Sequence, residues 1–85
     1  MGEQRIRYET ARVGDTVRLT LPHTDPCRHL RVAGEIRRVH VLLRGVLILD
    51  DDGTPLSDPV PHAQAGLHRR ADDPSGTAFH YIPAP

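Results

Sequence analysis

The chain contains no lysine, no asparagine and no tryptophan, and all eleven of its basic residues are arginines. Without lysine, Schiff-base chemistry is excluded, and so is any phosphate-binding loop ending in Gly-Lys-Ser/Thr. Lysine and asparagine codons are AT-rich, so their joint absence points to a GC-rich, bacterial coding sequence. A single cysteine, Cys27, excludes an internal disulfide framework, and a reducing, cytoplasmic location is the expectation. Only two serines are present, Ser57 and Ser75, neither in a G-x-S-x-G setting, which leaves a hydrolase triad unsupported. The opening M-G-E-Q-R-I has no apolar stretch behind it to act as a signal sequence, and no run is long enough to cross a bilayer, so no membrane association is expected.

What is present is a neutral chain of 85 residues, short enough to form one domain, residues 1–85, with a small core. A domain of this size buries roughly 60 to 65% of the surface its unfolded chain exposes, so its stability margin is thin and a partner subunit is expected. The charges are segregated along the chain. Nine arginines stand against five acids before Asp50, and two against six from Asp50 onward, a net of +4 and −4. Such a dipole suits a partner-binding face or a head-to-tail contact between copies.

Residues 32–53, V-A-G-E-I-R-R-V-H-V-L-L-R-G-V-L-I-L-D-D-D-G, hold most of the large aliphatic side chains, punctuated by Gly34, Gly45 and Gly53. The pattern predicts the hairpin core of a small curled sheet. Before it, T-V-R-L-T-L at 16–21 alternates Val17, Leu19 and Leu21 against Arg18 and Thr20, a half-buried strand. Pro22 and Pro26 bracket a loop, since proline cannot donate to a ladder. Ile36 lies three residues from Val39, while Val39, Val41 and Leu43 keep a period of two, so a β-bulge is expected near Arg37-Arg38. Val46 to Asp50 reads as a strand covered on both faces, followed by an Asp51-Asp52-Gly53 turn and a short strand at 54–57. Residues 1–12 read as an arm or an edge strand. Residues 58–77 read as an irregular connection with one helical turn, because Val60, Ala63, Leu67 and Ala71 have near-helical spacing. Ala78 to Ile82 alternates again and closes the sheet.

The resulting expectation is an all-β fold: a small, partly open five- or six-stranded barrel with a long irregular C-terminal connection that holds a short helix. The segments V-G-D-T-V-R-L, A-G-E-I-R-R-V and G-V-L-I-L-D-D-D-G resemble the pattern of Src-homology-type barrels, KOW modules among them, over residues 13–53. The resemblance implies a fold. KOW modules bind RNA or ribosomal and transcription partners, but their lysines and exposed aromatics have no counterpart here, so the binding function is not carried over.

Three groups of residues invite chemistry. His23, Cys27 and His29 lie within seven residues and are zinc-ligand types, yet H-x-x-x-C-x-H is not a recurring zinc spacing and lacks a fourth ligand. They are weak candidates, the plainer reading being a loop with a small buried cysteine, and no metal or other cofactor is expected. Asp50, Asp51 and Asp52 lack the spaced ligands of a calcium loop and read better as a tip closed by aspartate-to-backbone bonds. Arg18, Arg37 and Arg38, with Arg5, Arg7 and Arg12, form a basic stripe if they project from one face, and arginine suits phosphate. Few aromatics accompany them for stacking bases, and Glu9, Asp15 and Glu35 compensate, so a solvated face of arginine–acid pairs is the plainer account. His62, His68 and His80 read as surface or rim histidines. The sequence therefore predicts a non-enzymatic interaction or accessory protein that self-associates or binds a protein partner. A nucleic-acid-binding barrel using the arginine face is the alternative, and a zinc-binding protein the second.

Overall fold

Alternation at 16–20 produces the strand it predicts, and the rest of one sheet is laid against it. The computed structural model describes residues 10–82. Within them the strands are β1 (Thr10–Arg12), β2 (Thr16–Thr20), β3 (Ile36–Val41), β4 (Val46–Ile48), β5 (Leu67–Arg69) and β6 (Ala78–Tyr81). A five-residue helix, α1 (Asp25–His29), and a 3-10 turn at His62–Ala65 complete the inventory. The strands form two three-stranded antiparallel sheets, β1-β6-β5 and β2-β3-β4. The fold is all-β in this sense, but the ladders do not describe one closed five- or six-stranded barrel. The chain passes from the first sheet to the second through the turn after β1, where Gly14 N–H donates to the Val41 carbonyl at 2.8 Å and Val41 N–H to the Asp15 carbonyl at 2.8 Å.

The facing sides of the two sheets make the core. Leu19, Val39, Val41, Val46 and Ile48 meet Ala11, Leu67, Phe79 and Tyr81, and Leu21, Cys27, Val32, Val60 and Ala65 seal the ends. Phe79 is the largest fully buried side chain, and its burial stabilises by about 1.5–3 kcal/mol. The His62 ring packs at 4.4 Å from the Phe79 ring and bonds the Leu42 carbonyl at 2.8 Å, which fastens the long connection onto the core.

Three sequence expectations need correction. No bulge interrupts β3: five consecutive pairs run from Thr16–His40 to Thr20–Ile36, and β3 pairs with β4 without a break. The apparent slip is Ile36 itself, which keeps the phase of Arg38 and His40 and stands 57% exposed on the outer face. The β4 region is not buried on both faces, because Val46 and Ile48 point inward while Leu47 and Leu49 are half-buried. Its outer edge is closed by the chain that follows: Val46 and Val60 exchange backbone bonds of 2.8 and 2.9 Å, and Leu49 bridges Pro55, so 54–57 is a single bridge rather than a strand. Gly45 sits under this closure, where a Cβ would meet the Val60 carbonyl at 2.6 Å.

The 58–77 connection is more ordered than expected, holding the 3-10 turn and all of β5. The Pro22–Pro26 loop contains α1, in which Pro26 occupies the first turn, a position where its missing N–H costs nothing. Of the N-terminal arm, Thr10–Arg12 is an edge strand on β6, while Arg5, Arg7 and Tyr8 lie outside the described residues. No helix among the described residues is long and apolar enough to cross a membrane.

Candidate interaction face

In an antiparallel ladder, residues paired across strands share a face. The outer face of β2-β3-β4 therefore carries the rows Thr16–His40–Leu47 and Arg18–Arg38–Leu49, with Thr20 and Ile36 at the end. The second row continues past β4 because Leu49 N–H donates to the Arg38 carbonyl at 2.9 Å. Arg18 thus stands directly opposite Arg38, on a face that leaves Thr16, Arg18 and Ile36 exposed.

Arg18, Arg37, Arg38, Ile36, Leu49, Asp50 and Asp51 line one cleft of about 270 Å³. The sequence's three candidate arginines are thus brought to one place, but they are not equivalent. Arg37 has the inward phase and sits near the end of the ladder, where its Nε and Nη2 donate to Glu35 Oε2 at 3.0 and 2.7 Å. That hydrogen bond holds its guanidinium still more firmly in the charged form, aided by the charges of Glu35, Asp51 and Asp50. Arg38 Nη2 donates to the Asp51 backbone carbonyl at 3.1 Å, a contact that orients it without neutralising it. Arg18 has no ion-pair partner among the described residues.

The aspartates beside them divide in the same way. Asp50 Oδ1 accepts the backbone N–H groups of Asp52 and Thr54, both at 2.9 Å, and is consumed in shaping the turn. Asp51 is fully exposed, 3.9 Å from Arg37 Nη1, and Asp52 is exposed beside it. The face is therefore a short apolar strip, Ile36 with Leu47 and Leu49, with Arg18 and Arg38 beside it and the exposed carboxylates of Asp51 and Asp52 at the tip. Sequence reasoning placed Ile36 inside and missed the cleft walls formed by Leu49 and Asp50. The signal that finds Ile36 is parity, since it is an even step from Arg38 and His40.

The His23, Cys27 and His29 group is not assembled. Cys27 is completely buried in α1 with its Sγ 3.8 Å from the Gln64 carbonyl, while His23 and His29 are exposed. Burial pushes the Cys27 thiol up, a Thr24 hydrogen bond opposing it, so the thiolate that a ligand or nucleophile needs is disfavoured. Among the described residues no three His, Cys, Asp or Glu side chains are gathered closely enough to hold a metal ion. No protein-family model, curated protein or solved structure matches this chain.

Proposed function

We propose that this chain is a non-catalytic interaction protein that self-associates through the outer face of the β2-β3-β4 sheet. The observation that carries this reading is the opposition of Arg18 and Arg38. Like charges directly across a ladder destabilise a sheet. The cost is offset when an acidic group from another molecule arrives, and on this face the needed acids are at hand: Asp51 and Asp52 project from the neighbouring tip. A surface that carries both signs side by side is self-complementary under a two-fold axis. Rotation about the cleft sets Arg18 and Arg38 of one copy against Asp51 and Asp52 of the other and stacks Ile36, Leu47 and Leu49 into an apolar centre. The opposed net charges of the two halves of the sequence act in the same sense. A Src-homology-type arrangement of residues 13–53 belongs to the same proposal, as a fold only.

Nucleic-acid binding by the same arginines is the second reading, favoured by the outward pairing of Arg18 with Arg38. It is the weaker one because Asp50 and Asp51 share the cleft, and Phe79 and Tyr81 are buried away from it, leaving no described aromatic to stack on bases.

The test is solution mass. Sedimentation should give a dimer at micromolar concentration. Arg18→Glu with Arg38→Glu should reduce it to one chain, and mixing that variant with an Asp51→Arg, Asp52→Arg chain should restore a mixed dimer. A single-chain mass for the unaltered protein at high micromolar concentration overturns the proposal. A salt-sensitive shift of mixed RNA and DNA oligonucleotides, lost in the arginine variant, establishes the second reading in its place.

A further inference from the structure

The other sheet presents its own outer face, and a different chemistry is concentrated there. β5 and β6 pair Leu67 with Tyr81, His68 with His80 and Arg69 with Phe79, while β1 sets Thr10 beside His80. With Leu67, Phe79 and Tyr81 turned into the core, parity sends Thr10, His80 and His68 outward as one row across three strands. The two imidazoles are half-buried, and their ring centroids are 6.1 Å apart with planes inclined at 37°.

Neither ring takes part in a side-chain hydrogen bond among the described residues, in contrast to His40, bonded to Thr16, and His62, bonded to the Leu42 carbonyl. The charges around them are already matched. Arg70 binds Asp72 through two contacts and also donates to Thr10 Oγ1 at 2.8 Å, and Arg12 lies 3.7 Å from Asp73. The Arg70 hydrogen bond is the main cause that holds the Asp72 carboxyl below its ordinary range, and Asp72 also lies within electrostatic reach of His80. A cation on the histidine row therefore meets the matched Arg70–Asp72 pair, not a bare positive field.

We propose that His68 and His80 form a cross-strand chelate for a divalent transition metal ion of the imidazole-preferring kind, copper(II) most tightly, then nickel(II) and zinc(II). Imidazole nitrogen is the donor these ions share, and their order follows the general affinity series for first-row ions. A metal–nitrogen distance of about 2.0 Å places the ring centroids of two imidazoles about 5 Å apart on a tetrahedral ion, and about 4.5 Å apart when they are cis on a tetragonal copper(II) ion. The observed spacing of 6.1 Å is wider than this, and rotation of the two side chains is the movement that binding requires. Because the sheet fixes both Cα positions, little is lost on ordering the chelate. With only two protein donors, water completes the coordination sphere, so the site binds reversibly and leaves exchangeable positions. It selects against magnesium and calcium, which require oxygen donors.

The site is separate from the sheet face assigned to self-association, and the two proposals fail independently. Untagged full-length protein would be titrated calorimetrically with copper(II), nickel(II), zinc(II) and magnesium(II) chlorides. In parallel, the six histidine ring resonances would be followed by NMR at substoichiometric copper(II). One copper ion should bind per chain, magnesium should give no heat, and paramagnetic broadening should strike His68 and His80 first. Loss of a group that merely orients a ligand costs about 10–100-fold in metal affinity, and His68→Gln or His80→Gln removes a direct ligand, so each should cost no less. Both side chains lie on the outer face, so each variant should fold, as the metal-free melting temperature will show. Broadening centred on His23, His29, His40 or His62, or copper affinity unchanged in both variants, overturns the proposal.

Discussion

The Tyr81 hydroxyl donates to the Thr20 backbone carbonyl at 2.6 Å, joining the last strand of one sheet to the end of β2 in the other. The ring is buried and its hydroxyl reaches the carbonyl at the open end of the core, so one side chain contributes packing and a polar tie. Tyr81→Phe keeps the ring and leaves the carbonyl short of a partner. A hydrogen bond of this kind contributes about 0.5–1.5 kcal/mol, and the variant should lose about that much. At about 4–8 °C per kcal/mol for a domain of this size, the change is readable in a thermal melt. An unchanged melting temperature would show that the two sheets do not depend on the tie.

The same residue sets an alkaline limit. Burial pushes the Tyr81 hydroxyl above its ordinary range, the Thr20 bond opposing, and burial likewise raises the Cys27 thiol. Both groups are neutral when protonated and both have folded values above their unfolded ones. Their contribution is fully present below the unfolded values, about 8.5 for cysteine and about 10 for tyrosine, and is lost as pH rises through the folded values. Urea midpoints measured from pH 8 to 11 should therefore fall with pH, and Tyr81→Phe should flatten the upper part of the slope. Iodoacetamide should modify Cys27 far more slowly in buffer than in urea.

The parts of this fold that were legible in the sequence are those where burial and period agree. Val17, Leu19 and Leu21 alternate with Arg18 and Thr20, and the strand is where the alternation puts it. Ile36 misled because hydrophobicity alone assigns it inward, whereas the ladder's strict period of two assigns it outward with Arg38. β5 was invisible: three residues, Leu67, His68 and Arg69, carry no pattern of their own and become a strand only by pairing with β6. α1 was hidden by Pro26, read as a break though it fits a first helical turn. In the candidate face, Arg18 beside Arg38 follows from parity, but the Leu49 and Asp50 walls depend on the register of β3 with β4, which no local signal specifies.

Asp73 organises the loop between β5 and β6. Its Oδ1 accepts Ser75 N–H at 2.9 Å and Ser75 Oγ–H at 2.6 Å, and its Oδ2 accepts Ala78 N–H at 2.9 Å. The Ser75 hydroxyl and backbone bonds hold the carboxyl below its usual range against burial, which raises it, and the Ala78 bond and Arg12 add to the depression. A depressed folded value means a contribution present above the unfolded pKa of about 3.9 and lost as pH falls through the folded value. Asp73→Asn should lower stability at neutral pH and reduce the acid sensitivity of melting between pH 5 and 2, with faster amide exchange confined to residues 73–78. Acid profiles that superimpose would remove Asp73 from the account of this loop.

Gly45 is required by proximity, not by its backbone angles. Because a Cβ there would lie 2.6 Å from the Val60 carbonyl, an atom of the backbone, the collision cannot be relieved by turning a side chain. Gly45→Ala should part the Val46–Val60 bridge and cost about 1–3 kcal/mol, the range for overpacking a tight site. Exchange of the Val46 and Val60 amide protons should quicken together. By contrast Gly53→Ala meets no neighbouring atom, although its φ of +85° adds strain, and should leave that bridge intact.

Ile36 and Val39 discriminate the observed register from a bulged one. Ile36 is 57% exposed and Val39 fully buried, three residues apart on the same strand. If the ladder is unbroken, Ile36→Thr removes no core contact and suits an outward strand position, so its effect on chemical denaturation should stay within about 0.5 kcal/mol. Val39→Ala removes buried methyl groups between two sheets and should cost about 2 kcal/mol through lost transfer energy and the cavity left behind. Measurement at low concentration, where the chain is dissociated, keeps folding separate from association. There the two substitutions diverge a second time: Ile36→Thr should weaken self-association while sparing the fold, because the same parity that takes Ile36 out of the core puts it at the apolar centre of the proposed contact. A loss on Ile36→Thr equal to that on Val39→Ala would require Ile36 to be inside, and with it a bulge between them.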